Sequence, residues 1–389
     1  MKKREKSLVP DICFYVALMI ELMIVILDKS AYIIHYEGQW FRLTFCLFGV
    51  KALFNRYTWK EWLGFVTVGV VGVISYYVTG RNEMLRIIML VAACKGMKSD
   101  RVLKTIFWTT LAGCTVLVLL SLTGIMGLVS ITAEFRVGRV ETRYCFGMGH
   151  PNAFHCMVWA LVTLGCYIYR NKLKLWHYAL LFVGNIVIYM FSLSRTAVIV
   201  TAVVIILFAM VCCCKQIADR RLFYVGCALT IVACVIMTVV LCETLEYSAL
   251  VQKIDEKLSL RIWVISVVEN AMPHDWTLFG LPENIEYFDM GIVRLFYWYG
   301  WIPACIYFAV NFSLIIVAYK KKDASLAVLV TTFMMYTVIE AHLISDYLLR
   351  NYLFVLYGLA LTTSKADKDR TAEYALWDIR RIRRGVKCE

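Results

Sequence analysis

The residues that could do chemistry are arginines, carboxylates and histidines that interrupt long apolar runs. Residues 139–152, with the sequence RVETRYCFGMGHPN, place two arginines before two glycines and a proline, and Arg136 stands just before them. Proline suits the first turn of a helix, and a helix N-terminus carries partial positive charge. Arginine, glycine and a helix start together favour binding of phosphate or pyrophosphate. The alternative is a solvated loop in which an arginine pairs with Glu141.

Two further arginines stand in different kinds of segment. Arg195 interrupts an apolar run, residues 175–214, that has no glycine or proline where it must turn. A guanidinium there predicts a contact with a lipid phosphate at the outer interface, unless the side chain only reaches out to the headgroups. Arg261 begins an amphipathic stretch, residues 258–270, that could close over a cavity or lie on the membrane surface as an interfacial helix.

Carboxylates and histidines occur late in the chain as well. Asp289 precedes Arg294 and an aromatic run, residues 296–301, which is also typical of an aromatic belt at a membrane surface. Glu340 and His342 lie where a second long apolar run must fold back. A single histidine in such a position is more often structural than catalytic.

Composition predicts an all-α, polytopic membrane protein. Of 389 residues, 61% are apolar and 18% charged, whereas soluble domains have nearer half and a quarter. The apolar residues form runs long enough to cross about 30 Å of hydrocarbon, and we count about twelve spans. Residues 175–214 and 324–363 are each too long for one span, so they must fold back near Ser194–Arg195 and near residues 340–346. The second and fourth spans are short and could be re-entrant or interfacial.

The net charge of +13 indicates topology rather than nucleic-acid binding. Basic residues fall in short loops between the runs, as cytoplasmic loops do, and no basic stripe with interleaved aromatics occurs on a soluble segment. Both termini are therefore expected in the cytoplasm, with an uncleaved first span. Residues 1–364 form one transmembrane domain, 365–389 a basic cytoplasmic tail, and 243–290 a large extracytoplasmic loop.

This topology gathers the remaining charges on the outer side. Buried charges are costly unless they pair or line a wet cavity, so the outer half of the bundle is expected to hold a polar cavity. Neither a cluster of outer carboxylates nor a Cys/His spacing suggests a metal site. We expect a metal-independent protein without a cofactor.

Several motifs, taken in order, resemble the Wzy-type polysaccharide polymerases of the O-antigen ligase-like family. Residues 147–152 (GMGHPN) resemble that family's G-x-x-H-P-N segment, and residues 194–197 (SRTA) resemble the S-R-T-A segment that follows it. The large-loop pattern and a late glutamate are also similar, at Arg261-Ile-Trp, Phe279-Gly280, Asp289, Gly300 and Ile339-Glu340. In ligase relatives a histidine stands near the position of Asp289, which favours a polymerase here.

The resemblance implies a glycosyltransferase of the bacterial cytoplasmic membrane. Such proteins transfer a glycan from undecaprenyl pyrophosphate to an acceptor hydroxyl, and a polymerase uses another lipid-linked repeat as acceptor. The expected partners are that lipid-linked oligosaccharide, membrane lipid, a flippase and a chain-length regulator, without nucleic acid. The other candidate functions are an O-antigen ligase-type transfer, a flippase or exporter of lipid-linked oligosaccharide, and a non-catalytic scaffold. The absence of a strong internal repeat counts against a transporter.

The resulting hypothesis gives each candidate residue a role. The pyrophosphate is assigned to three arginines, Arg143, Arg195 and Arg261, which would stabilise the negative charge of the leaving group. The acceptor hydroxyl would be oriented or deprotonated by Asp289 or Glu340, with His150 as a lesser candidate. Further substrate contacts are assigned to Asn152, Ser194 and Arg294.

The assignment of Arg195 can be tested by removing its charge. The variant Arg195→Ala is expected to lose polymerisation, because the diphosphate would lack a preorganised cation as negative charge develops. The measurement is the size ladder of cell-surface glycan. A full-length ladder in this variant would reject the assignment.

Overall fold

The computed structural model describes residues 8–136 and 138–361, which form a helical bundle. Five helices come first: α1 (Val9–Asp28), α2 (Glu37–Phe54), α3 (Trp59–Thr79), α4 (Glu83–Ala93) and α5 (Ser99–Leu122). A hairpin of β1 (Ser130–Arg136) and β2 (Arg139–Tyr144) precedes α6 (Pro151–Tyr169), α7 (Leu175–Ser192), α8 (Arg195–Cys213) and α9 (Arg221–Glu243). The rest comprises α10 (Ala249–Lys257), α11 (Arg261–Val267), α12 (Gly291–Tyr299), α13 (Trp301–Lys321), α14 (Ala324–Thr337) and a helical stretch at 353–361.

The predicted all-helical membrane class is confirmed, but the predicted number of spans is wrong. In the described part of the chain, eight helices are long and apolar enough to cross a membrane, not twelve: α1, α3, α5, α6, α7, α8, α9 and α13. The sequence prediction treated every apolar run as a span, whatever its helical length. The predicted loop before α6 also contains the β-hairpin, which the sequence analysis missed.

Four predicted spans fail this test for reasons of length or polarity. The second, α2, has 18 residues but contains three charged ones, Glu37, Arg42 and Lys51. The fourth, α4, has 11 residues, which corresponds to about 17 Å of helix. The eleventh, α14, has 14 residues, and only 353–361 is described as helical in the twelfth.

Ion pairs nevertheless show that α2 and α4 return the chain to the end of the bundle at which α1 and α3 begin. Lys51, near the end of α2, lies 2.7 Å from Asp11 at the start of α1. Lys95, just after α4, lies 2.5 Å from Glu61 in the first turn of α3. We call this the basic end, formed by the loops at residues 55–58, 94–98, 170–174, 214–220 and 322–323. Its other ion pairs are Arg170–Asp323 and Lys322–Asp219.

The two predicted reversals of long apolar runs are confirmed. The first run turns between α7 and α8 at residues 193–194. The second turns after α14, through 3-10 turns at Ala341–Leu343 and Leu348–Arg350. The predicted tenth span is instead broken at Gly300 into α12 and α13. Gly300 has a φ of +80°, and a side chain there would contact Phe279 within 2.5 Å.

Helix α14 forms the centre of the bundle. It packs against α6, α8, α9 and α13, and most of its residues are buried. Trp159 of α6 stacks on Tyr336 at a ring distance of 4.5 Å, and both side chains are fully buried. This packing fixes the C-terminal end of α14, and with it the backbone that leads to Glu340. The predicted basic tail, 365–389, and the basic residues 1–6 lie outside the described residues.

A buried ion pair joins α1 to α4 and gives a stability test of this packing. Arg86 Nη2 lies 3.3 Å from Glu21, whose carboxylate also accepts a bond from Thr44. Removing one partner of a buried pair leaves an uncompensated charge, so Arg86→Met should cost about 3–5 kcal/mol. Unfolding of the protein purified in detergent measures this cost.

The exposed pair between Lys322 and Asp219 provides the matched control. Lys322→Met should cost about 0–1 kcal/mol, because solvent screens such a pair. Equal losses in the two variants would contradict the buried arrangement of Arg86.

Candidate functional site

A cavity of about 400 Å³ lies near the C-terminal ends of α1 and α14 and the N-terminal end of α6, away from the basic end. We call this side the cavity end. The lining combines three carboxylates with one lysine and two histidines, and the full set is Asp28, Lys29, Met148, Gly149, His150, Asn152, Ala153, Asp289, Glu340 and His342. The structure therefore brings together four residues predicted from the sequence: His150, Asn152, Asp289 and Glu340. Mixed carboxylate, ammonium, imidazole and amide groups suit a ligand rich in hydroxyls.

The side chain of Arg261 joins two of these carboxylates from behind the cavity wall. Its Nη2 lies 2.9 Å from Glu340 Oε1 and 3.1 Å from Asp289 Oδ2. Its Nη1 donates to the carbonyl of Ile339 at 2.5 Å. Helix α11, the segment before α12 and the segment after α14 are thus connected through one guanidinium. Three of its donor contacts are already used, which leaves Arg261 less free for a pyrophosphate than the sequence suggested.

The two carboxylates have different environments. The side chain of Glu340 is 1% exposed and that of Asp289 is 52% exposed. Burial raises the pKa of Glu340 above its ordinary value, although Arg261 acts in the opposite direction. Asp289 is therefore the carboxylate open to a ligand, whereas Glu340 is enclosed by Arg261, by the hydroxyl of Thr196 at 3.1 Å and by His342 at 3.7 Å.

Both histidines of the cavity favour the neutral form. Burial lowers the pKa of His342 well below its ordinary value, and Lys29 and Arg294 add to the effect. Desolvation also lowers the pKa of His150, and although Asp289 opposes this, Arg143 and other nearby cations reinforce it. Neutral imidazole can donate one hydrogen bond and accept another, as a sugar hydroxyl requires.

His150 owes its position to the start of α6. Its Nδ1 accepts the backbone N–H of Asn152 at 3.2 Å and so caps the helix, which leaves the proton of the neutral ring on Nε2. Gly147, three residues earlier, has a φ of +80° and approaches the carbonyl of Leu117 too closely for a side chain. The predicted glycines therefore shape the turn that brings His150 to the cavity.

Arg143 lies on β2, outside the cavity lining. Its guanidinium pairs with Glu141 at 2.8 Å and stacks on Phe135 at 4.2 Å. The Phe135 ring in turn lies 5.9 Å from the ring of His150. The pairing that the sequence analysis considered as the alternative is the one observed, and Arg143 reaches the cavity only through these rings.

The turn between α7 and α8 brings a third part of the predicted site to Glu340. Leu193 adopts a φ of +49°, which costs a residue with a side chain roughly 1–2 kcal/mol. Ser194 is 2% exposed, and its hydroxyl has no hydrogen-bond partner within residues 8–136 and 138–361. Arg195 is exposed and makes no ion pair or hydrogen bond to another described residue. The next residue, Thr196, donates to Glu340, so the backbone that carries Arg195 lies one residue from a contact with the cavity lining.

Arg294 donates hydrogen bonds to backbone carbonyls and does not line the cavity. It donates to the carbonyls of Phe288 at 2.6 Å and Ile344 at 3.4 Å, and it stacks on Tyr287 and Trp298. Burial lowers its pKa to about 10. By fixing the residue before Asp289, Arg294 supports the site from behind.

Sequence reasoning missed Asp28 and Lys29 and did not assign a site role to His342. Asp28 and Lys29 follow the first apolar run directly, and the alternation of spans could have placed them on the same side as His150. Lys29 lies 3.1 Å from Asp28, and burial lowers the pKa of its amine. Asp28 also pairs with Arg350, whose pKa burial lowers to about 9.

The described residues contain no group of three or more His, Cys, Asp or Glu side chains arranged to hold a metal ion. Metal independence stays a prediction. The chain matches no family model, no curated protein and no solved structure.

The bridge made by Arg261 predicts a pH-dependent loss of stability. In Arg261→Met, burial and the charge of Asp289 would raise the pKa of Glu340 against only the hydrogen bond from Thr196, so the folded protein would bind a proton that the unfolded chain releases. Stability then falls as the pH rises through the raised pKa. We expect a loss of about 3–5 kcal/mol near neutral pH, which shrinks toward about pH 5 as Glu340 becomes neutral.

Unfolding in detergent at several pH values measures this effect relative to the unmodified protein. Arg294→Met is the matched control, since that buried arginine donates to carbonyls rather than carboxylates. A loss in Arg261→Met that does not change with pH would contradict the bridge.

Proposed function

We propose that the chain is a membrane glycosyltransferase that polymerises undecaprenyl-pyrophosphate-linked oligosaccharide repeats on the outer side of a bacterial cytoplasmic membrane. The motifs that resemble Wzy-type polymerases supply the reaction class, and the arrangement of side chains is compatible with it. A lipid-linked donor, a lipid-linked acceptor and a surface polysaccharide as product are parts of the same proposal.

The observation that carries the proposal is the meeting of distant segments at one cavity. His150, the 194–196 turn, Arg261, Asp289 and Glu340 come from five separate parts of the chain, yet each contacts or lines the same site. Side chains drawn together over such distances in sequence, around a hydrophilic cavity, favour a binding or catalytic role.

The charge distribution supports an outward-facing cavity. The basic loops lie at one end of the bundle, as the ion pairs show, and the cavity lies at the other. Cytoplasmic loops of membrane proteins are enriched in lysine and arginine. Under that rule the cavity opens on the extracytoplasmic side, where lipid-linked repeats are available after export.

The proposed reaction is a displacement at the anomeric carbon of the donor repeat. An acceptor hydroxyl forms the new C–O bond while the bond to the pyrophosphate oxygen breaks. Undecaprenyl pyrophosphate leaves with the bonding electron pair, and Asp289 takes the hydroxyl proton. A carboxylate can contribute about 10²–10⁴-fold as a general base when it is positioned within hydrogen-bond reach.

The basic side chains would then have different roles. The cavity lining has three carboxylates and one lysine, so it suits the acceptor sugar better than a diphosphate. Arg195 is exposed, makes no ion pair with another described residue and follows directly on the turn that contacts Glu340 through Thr196, so it is the better candidate for the diphosphate. Arg261 would hold Asp289 and Glu340 in place. Arg143, paired with Glu141, would act at longer range.

A deletion strain tests the proposal. Without the chain, single lipid-linked repeats should accumulate on the outer side of the membrane and the glycan ladder should collapse to one unit. Repeats accumulating on the inner side would indicate a flippase. Full-length polymer that is not attached to its final acceptor would indicate a ligase.

Complementation of the same strain tests the proposed base. Asp289→Asn should restore no ladder, because loss of a general base lowers transfer by about 10²–10⁴-fold. Asp275→Asn is the matched control, since this exposed carboxylate of the large loop lies near His274 and lines no part of the cavity. Equal ladders from the two variants would remove Asp289 from the mechanism.

A further inference from the structure

A chain of hydrogen bonds deep in the bundle ends at the turn that presents Arg195. His155 of α6 is fully buried, with its Nε2 3.0 Å from Asn185 Oδ1 and its Nδ1 2.9 Å from Ser192 Oγ. Asn185 Nδ2 donates to the carbonyl of Val198 at 2.9 Å. These groups tie α6, α7 and α8 together inside the apolar part of the protein.

The direction of every bond in this chain follows from chemistry. The carbonyl of Val198 can only accept, so the amide nitrogen of Asn185 faces it and the amide oxygen faces His155. His155 must then donate from Nε2, and the neutral ring accepts at Nδ1 from the hydroxyl of Ser192. One tautomer of His155, with the proton on Nε2, satisfies all the partners.

The chain ends on a strained turn. Ser192 Oγ, at the end of α7, accepts the backbone N–H of Ser194 at 3.4 Å. Between them, Leu193 has a φ of +49°, and its N–H donates to the carbonyl of Tyr189 at 2.8 Å. Glycine is the usual residue in this left-handed conformation at a helix end, so leucine needs support from its surroundings.

We propose that His155 is a positioning residue that holds the α7–α8 turn in its strained form through Ser192. In that form the turn places Thr196 on Glu340 and presents Arg195 as the exposed neighbour of that contact. His155 itself is not among the residues that line the cavity. The inference rests on the proposed function for its consequence in catalysis, but not for the hydrogen bonds.

The polar character of these hydrogen-bonded side chains supports a positioning role for His155 over packing alone. An apolar side chain would fill the space of His155 without burying an imidazole, an amide and a hydroxyl in the membrane, where each must find a partner. The three groups satisfy one another, and their last donor and acceptor reach the backbone of α8 at Val198 and of the turn at Ser194.

The tautomer is tested by ¹⁵N NMR of the purified protein labelled at histidine. The chain has six histidines, and His155→Phe identifies the signal of this one. We expect a neutral ring with the proton on Nε2, and a changed Nδ1 signal in Ser192→Ala. A proton on Nδ1, or no response to Ser192→Ala, would overturn the proposed chain of bonds.

Rescue by glycine tests the positioning role. His155→Phe keeps an aromatic ring but removes both ring nitrogens, and both it and Ser192→Ala should lower polymer formation about tenfold, equivalent to 1.4 kcal/mol. Adding Leu193→Gly should restore most of the loss, because glycine adopts the positive φ without support. His177→Ala is the control, since that histidine caps α7 at the basic end, and it should leave the glycan ladder unchanged.

The outcomes separate this inference from the proposed function. Full activity in His155→Phe, or a loss that Leu193→Gly does not restore, would reject the positioning role. If the unmodified protein makes no polymer, the proposed function fails instead. In that case the positioning role is tested by the rate at which maleimide labels the thiol in Arg195→Cys. Adding His155→Phe should change this labelling rate, and adding Leu193→Gly as well should restore it.

Discussion

The guanidinium of Arg261 is the contact on which the geometry of the cavity depends. Two carboxylates that approach each other within a partly buried site repel unless a cation lies between them. Arg261 supplies this cation and binds the carbonyl of Ile339 as well, so it fixes the large loop, the segment before α12 and the end of α14 together. Such a bridge is weak evidence for net stability but strong evidence for a defined arrangement, because losing one partner leaves the others buried and unpaired.

The two ends of the bundle use charge in different ways. At the basic end, lysines and arginines pair with single carboxylates between neighbouring helices, and one of these pairs, Lys322 with Asp219, is exposed. An exposed pair of this kind contributes little energy. At the cavity end, charged side chains from distant segments are shared among several partners. The helices α2, α4 and α14, which are too polar or too short to count as spans, fit this division, since each ends beside polar groups at one end of the bundle.

The sequence predicted the helical membrane class and both reversals of the long runs, because these follow from apolar length and from the cost of burying charge. Of the residues that line the cavity it named four, His150, Asn152, Asp289 and Glu340. It did not predict the span count, since an apolar run does not show where its helix ends, as the break at Gly300 illustrates. It also could not predict the partner of each arginine. Arg143 pairs with Glu141 and Arg294 with carbonyls because a guanidinium binds whichever lone pairs the fold brings near.

The unequal burial of the two carboxylates beside Arg261 gives them different abilities. A general base must carry negative charge and reach the substrate, and Asp289 is half exposed at the cavity. Glu340 is enclosed, its pKa is raised by burial, and its oxygens already accept from Arg261 and Thr196. Its most consistent role is to hold Arg261, and through Thr196 the turn that carries Arg195, at fixed positions relative to Asp289. Under the proposed function, the base and the diphosphate-binding cation would then be related through one buried carboxylate that never needs to contact the substrate.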